Sequence, residues 1–210
     1  MRPMIFSRSV DKLAALTGFA TLALSGFAVP GMALADPYSL PIASYGPVKV
    51  EAGVSPETRS LQELAAQVGL ATFTAADWHP GPVRHIVLIT WKASATAAQR
   101  TEVTARFLHL AQDSRRPNGA HVVQSIEMGM QNSGEGQAEG LQQAFVVNFR
   151  SEGDRNFYVG KPVVNDAAFF DPAHEAFKEF AAPYIERMVV FDFDVLAIAS
   201  PVPAKKSRHG

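Results

Sequence analysis

Between residues 83 and 196 the apolar side chains switch between a spacing of two and a spacing near 3.6, in one definite order. Val83–Trp91 (VRHIVLITW) is β-branched, apolar and of strand length. Thr96, with Gln99 three residues on, has the pattern of a capping box. It opens a helix predicted to run to about Gln112, with Val103, Phe107, Leu110 and Ala111 on one face. Pro117-Asn118-Gly119 is a turn, and His121–Met130 alternates as a second strand. The polar, glycine-rich run from Gln131 to Gly140 reads as a loop. Ala144–Arg150 is a third strand, with Phe145, Val147 and Phe149 on one side. Ser151 and Asp154 suit the start of a short helix. Asp171-Pro172 starts another, an N-cap followed by proline at the first helical position. That helix aligns Phe177, Phe180, Ala181 and Tyr184. Val189–Leu196 closes the series as a fourth strand, its odd positions apolar against Val190, Asp192, Asp194 and Leu196.

The order is β-α-β-β-α-β, which makes the domain α+β and ferredoxin-like. Such a four-stranded antiparallel sheet carries its helices on one face only. Strands that are apolar on both sides require a cover for the other face as well. The expected cover is a second copy of the same sheet, hence a homodimer through the sheet faces.

What precedes this domain divides in two. Arg2, Arg8 and Lys12 stand ahead of residues 13–35, which carry no charge and end in Ala33-Leu34-Ala35. A basic start, an apolar middle and small residues before a cleavage point describe a secretory signal peptide, cut after Ala35. Residues 36–82 form an extension whose first half is broken by Pro37, Pro41, Pro47, Gly46 and Gly53, with Val48–Val50 at most an edge strand. One amphipathic helix is marked in it: Ser55 as cap, Pro56 at the first position, Leu61, Leu64, Ala65 and Val68 on one stripe, and Gly69 at the end. The stripe is expected to pack on the following domain, taken as residues 83–196. The tail, 197–210, is expected to be disordered. Together these features predict an exported protein, periplasmic or secreted, with no membrane span after cleavage.

Composition removes several function classes. The formal net charge is -1, with 19 basic and 20 acidic residues, so nucleic acid is not an expected partner. Loss of residues 1–35 leaves 16 basic against 19 acidic groups. The absence of cysteine excludes disulfides, thiolate nucleophiles and cysteine-held metals. No metal site is predicted: His174-Glu175 begins like a zinc-binding helix, but Lys178 occupies the place of the second histidine. The GMQNSGEG run from Gly129 lacks the Lys-Ser/Thr of a phosphate loop, and no Gly-x-Ser-x-Gly occurs. No cofactor is expected.

Four segments carry a resemblance. His85-Ile86-Val87-Leu88, Ser125-Ile126-Glu127-Met128-Gly129, Asp171-Pro172-Ala173-His174-Glu175-Ala176-Phe177 and Val190-Phe191-Asp192-Phe193 stand in that order. Together they resemble the stress-responsive A/B barrel (Dabb) domain over about Val83 to Val195. The resemblance implies a dimeric α+β barrel with a small cavity in each subunit. It also implies a functional range from stress proteins to plant polyketide cyclases. In the cyclase branch a His-Pro-x-His segment carries the catalytic histidine, aided by a tyrosine. His174 keeps the second histidine, Asp171 replaces the first, and Tyr158 stands at the place of the tyrosine. Residues 160–169 are an insertion relative to that pattern.

His174 falls at about the third position of its helix, where the helix end disfavours imidazolium and a neutral ring is able to act as a base. The alternative is a hydrogen bond to backbone or to Asp171 at the helix entrance. Tyr158 would donate to a ligand carbonyl, or else pack its ring with its hydroxyl in water. His85, on the strand face of Val83 and Val87, is read as a satisfied core histidine or as a pocket residue beside Val87 and Phe177. Asp192 and Asp194 read as a solvated or salt-bridged face. Three functions follow. The first is a protein that binds a small, largely apolar molecule in the barrel cavity. The second is a cofactor-independent cyclase, lyase or isomerase with His174 as base and Tyr158 as donor. The third is a structural or assembly module.

Overall fold

A computed structural model describes residues 54–201 of the 210-residue chain. The signal peptide, Val48–Val50 and tail residues 202–210 lie outside the described residues. Helix α1 (Pro56–Val68) starts as its sequence dictates, with the Ser55 hydroxyl accepting from the Thr58 amide and Pro56 in the first turn. Gly69, at φ +84°, turns the chain into the single-turn helix α2 (Leu70–Phe73). Then come β1 (Pro80–Trp91) and α3 (Ala97–Asp113), which is held by the Thr96/Gln99 capping box. Next are β2 (Ser125–Met130), β3 (Gln143–Ser151), α4 (Glu152–Val159), α5 (Pro172–Ala181) and β4 (Ile185–Asp194). The four strands form one antiparallel sheet in the order β2-β3-β1-β4. With α3 and α5 as crossovers, the domain is α+β and ferredoxin-like.

Two strand boundaries differ from expectation. The second strand begins at Ser125 rather than His121, because Val122 and Val123 are both buried in succession and cannot belong to an alternating strand. The fourth begins at Ile185 rather than Val189, since β1 extends pairing down to Trp91 opposite Ile185. Neither Glu186 nor Arg187 carries an apolar signal; both are exposed on an edge strand. β1 likewise starts three residues before Val83, at Pro80.

Register decides which face is which. Val83, His85, Val87, Ile89 and Trp91 are buried beneath the helices. In register beside them stand Phe149, Val147 and Phe145 of β3. Val103, Phe107 and Leu110 of α3, Phe157 and Tyr158 of α4, and Phe177 and Ala181 of α5 complete this core. Phe107 stacks on Phe145 at 3.9 Å. Each such fully buried side chain contributes about 1.5–3 kcal/mol of transfer free energy. The opposite face carries Ile86, Leu88, Val146, Val189, Phe191 and Phe193, with Phe191 61% exposed.

A second, smaller core joins the extension to the insertion. Ala65 of α1 and Phe73 of α2 are buried with Val164 and Phe170, and Leu61, Leu64 and Val68 pack around them with Val163 and Phe169. The predicted stripe of α1 therefore packs chiefly on residues 163–170. Polar ties reinforce this: Asn156 Nδ2 donates to the Phe73 carbonyl at 2.8 Å, and Arg116 Nη1 to that of Thr74 at 2.8 Å.

Candidate functional site

The site is built where α4 and α5 meet the helix-covered face of the sheet. Ser151 caps α4 by accepting from the Asp154 amide, and α4 presents Tyr158 inward. Asp171 caps α5 through the Ala173 amide, and Pro172 fixes the first turn. Two residues past Pro172, His174 points into the domain and is buried. The Asp171 amide is itself bonded to the Phe157 carbonyl at 2.8 Å, which locks the entrance of α5 onto the end of α4.

Four of the five predicted site residues form one aromatic chain. The His85 ring meets Tyr158 edge-on at 5.8 Å, Tyr158 stacks on His174 at 3.8 Å and 17°, and His174 lies 6.5 Å from Phe177. Val87 lies in the same core, one alternation along β1 from His85. His174 Nδ1 lies 2.7 Å from the main-chain carbonyl oxygen of Tyr158. A carbonyl only accepts, so Nδ1 carries the proton and Nε2 keeps its lone pair. Burial, together with the charge of Lys178 and the neighbouring His85, lowers the His174 pKa to about 3. The ring is neutral at every physiological pH. Its structural alternative, a bond to backbone at the helix entrance, is thus met in full, and Nε2 is left over.

Tyr158 is buried completely, and its hydroxyl has no partner among the described residues. The expectation that this hydroxyl stands in water is corrected: the ring packs, but the oxygen is packed with it. Burial and the nearby Asp171 carboxylate raise its pKa well above that of an ordinary phenol. It remains a donor. Burial raises the Asp171 pKa, against the Ser114 hydroxyl and the Ala173 and His174 amides beside its carboxyl, which favour the anion.

His85 is a satisfied core histidine on one side. Its Nδ1 donates to Asp192 Oδ1 at 2.7 Å, and the other carboxylate oxygen accepts from Arg155 Nη1 at 2.9 Å. Burial alone would raise the Asp192 pKa, but the His85 hydrogen bond and the Arg155 charge outweigh it and lower it. The salt-bridged reading of the Asp192/Asp194 face therefore holds for Asp192; Asp194 is exposed. Arg155 was not legible as a site residue. Its partner is 37 positions away: the β1–β4 register sets Asp192 beside His85, and the packing of α4 on the sheet brings Arg155 to it.

Two surface clefts lie elsewhere. One of about 680 Å³ runs between α3 and the outer strands, beside Leu108, Met128 and Met130. One of about 280 Å³ is bounded by His79, Gly81, Glu152 and Asp194. Among the described residues no group of three or more His, Asp or Glu side chains is placed to hold a metal ion. No helix among them is long and apolar enough to cross a membrane.

A ferredoxin-like α+β domain with a buried Tyr–His pair at the entrance of its last helix is the class that this fold and site define. The stress responsive A/B barrel domain family, Dabb, matches residues 83–195. The chain belongs to that family. Among solved structures, it is similar to an Arabidopsis thaliana protein at 19% identity, covering 56% of this chain and 99% of that one, with a TM-score of 0.45. It is similar to hydroxynitrile lyase from Passiflora edulis at 23% identity, 59% and 99% coverage and a TM-score of 0.44. It is also similar to a dimeric ferredoxin-like protein of unknown function from Bacteroides fragilis at 22% identity, 55% and 98% coverage and a TM-score of 0.39. No curated protein matches the chain.

Proposed function

We propose that this Dabb protein binds a small, largely apolar molecule bearing one hydrogen-bonding group, placed against the stacked Tyr158–His174 pair rather than between its rings. The observation that carries the reading is the Tyr158 hydroxyl, fully buried with no partner among the described residues. A buried donor left unmade costs about 1–3 kcal/mol, which a ligand acceptor would offset. The His174 lone pair is the matching acceptor, and Val87 and Phe177 offer apolar surface in the same core. Binding is favoured over proton abstraction by the same geometry. A general base works best with a pKa near the operating pH, and that of His174 is about 3.

The working molecule in this reading is a homodimer. Phe191 and Phe193 stand exposed beside Ile86, Leu88, Val146 and Val189 on the bare sheet face, and a second copy is the simplest cover for a patch of that kind. It is also an exported protein, on the strength of Arg2, Arg8 and Lys12, the uncharged run to Ala35 and the Ala-Leu-Ala site.

Native mass spectrometry of the protein purified from its own cell envelope tests the reading. A dimer carrying an adduct that Tyr158→Phe fails to retain is the expected result. An adduct-free monomer would overturn it. Turnover of an identified ligand, abolished in His174→Ala, would replace binding by the cyclase or lyase reading.

A further inference from the structure

The Tyr158–His174 pair is closed in. Both residues are buried, and neither surface cleft is bounded by either of them. A molecule that reaches the pair has to displace something, and the elements around it are unequal. α3 and α5 lie on the sheet as its two crossovers, whereas α4 is eight residues long, about two turns. It carries Tyr158 and ends at Gly160, where a φ of +62° turns the chain as other residues rarely do.

α4 is held from two sides. Inward, Phe157 and Tyr158 join the core of the sheet and Arg155 reaches Asp192. Outward, the extension holds it. Asn156 Nδ2 donates to the Phe73 carbonyl at 2.8 Å, and the Gly153 amide to that of Trp78 at 3.1 Å. Arg116 joins the Asp154 carboxylate, at 2.7 Å, to the Thr74 carbonyl, at 2.8 Å. At the far end of α4, a Cβ on Gly160 would stand 2.8 Å from that of Phe170. Phe170 is in turn buried with Ala65, Phe73 and Val164. From its first turn to its last, α4 is therefore covered by the extension, or by the insertion on which the extension packs.

The two sides belong to separate cores. The outer one holds Ala65, Phe73, Val164 and Phe170, and none of these is a member of the larger core beneath. A small core of this kind opens locally while the sheet stays packed, as lids over buried sites do.

We infer that the extension is a latch on α4, and that its release is the step that admits a ligand to the Tyr158–His174 pair. The inference rests on the binding site proposed above and adds its regulation: whatever grips or frees α1 and α2 sets access to the pair.

Diethyl pyrocarbonate, which carbethoxylates the unprotonated nitrogen of an imidazole, reads that access without any ligand. Peptide mass spectrometry gives its rate at His174 beside that at His109, an exposed histidine in the same chain. The full-length chains compared are wild type, Leu64→Ala, Phe73→Ala, and Gln62→Cys with Asn165→Cys bridged by a reducible bis-methanethiosulfonate. Gln62 Nε2 and Asn165 Nδ2 both donate to the Pro162 carbonyl, at 2.9 and 3.2 Å, so the bridge ties α1 to the insertion. The chain has no other cysteine to interfere.

In the wild type His174 should react far more slowly than His109. Leu64→Ala should speed it, and Phe73→Ala should speed it by about tenfold or more. The bridge should slow it, and reduction should restore it. A wild-type His174 as reactive as His109 overturns the inference, and so does a rate that neither Phe73→Ala nor the bridge changes. Hydrogen exchange of β1 and β3 is measured alongside. An acceleration that the sheet amides share means that the whole domain opens, which overturns the latch as well. A latch that works in a protein with no adduct in native mass spectrometry stands, and the ligand falls. An adduct in a protein whose His174 labelling ignores the latch does the reverse.

Discussion

His174 donates its Nδ1 proton to the Tyr158 carbonyl at 2.7 Å while its ring lies flat on the Tyr158 ring at 3.8 Å. One residue thus holds the other twice, through its main chain and through its side chain. The orientation of the imidazole is fixed by two contacts that no charge change on Tyr158 is needed to maintain.

The pH dependence of stability follows. The folded His174 pKa is about 3 against an ordinary 6.5, so between those values the unfolded chain binds the extra proton. The stabilisation is complete above pH 6.5 and is lost progressively as pH falls toward 3. Between pH 7.5 and 4.5 this one group removes about 2–3 kcal/mol. Urea unfolding at both pH values should show that loss in the wild type and a smaller one in His174→Gln. Equal losses would mean that His174 is not buried neutral.

Tyr158→Phe separates stability from binding. It removes an unpartnered buried oxygen, so the ligand-free protein should gain about 1 kcal/mol or remain unchanged. Thermal denaturation checks the sign. A loss of several kcal/mol would show that the hydroxyl already has a partner.

Asp192→Asn should destabilise by about 1–3 kcal/mol, because it strips the anion from both Arg155 and His85 in a half-buried setting. The carboxylate has a lowered pKa. Its contribution is therefore present above the ordinary carboxylate range and is lost as pH falls through the lowered value. The gap between mutant and wild type in urea should narrow below pH 4.

Gly153→Ala tests how the extension is held. A Cβ at Gly153 would run into the Ala75 carbonyl oxygen and crowd the Trp78 side chain. The Gly153 amide also bonds to the Trp78 carbonyl at 3.1 Å. The backbone has to shift, and a cost of about 2 kcal/mol or more is expected. Hydrogen exchange should then rise in α1 and α2 before it rises in the sheet.

Much of the fold was legible because its signals are local. The Ser55, Thr96, Ser151 and Asp171 caps all form as read, since each needs only a side chain and an amide two or three residues on. The alternation of Phe145, Val147 and Phe149 likewise gave the buried face of β3. Strand ends failed where neighbours, not periodicity, set them: Val122 and Val123 are both buried by the fold around them, and Glu186 and Arg187 are strand residues only because β1 lies alongside.

At the site, sequence pointed to His85, Tyr158 and His174 separately. It could not place Asp192 between His85 and Arg155, because that depends on a strand register across 107 positions and on the packing of α4 across 37. By itself, the sequence determined the order of elements and their caps, which rest on spacing along the chain, and it carries the four segments that resemble the family. Only the tertiary structure decided that the Tyr158 hydroxyl is sealed without a partner among the described residues and that α1 packs on the insertion. Those depend on which distant surfaces exclude water from each other, and no local pattern encodes that.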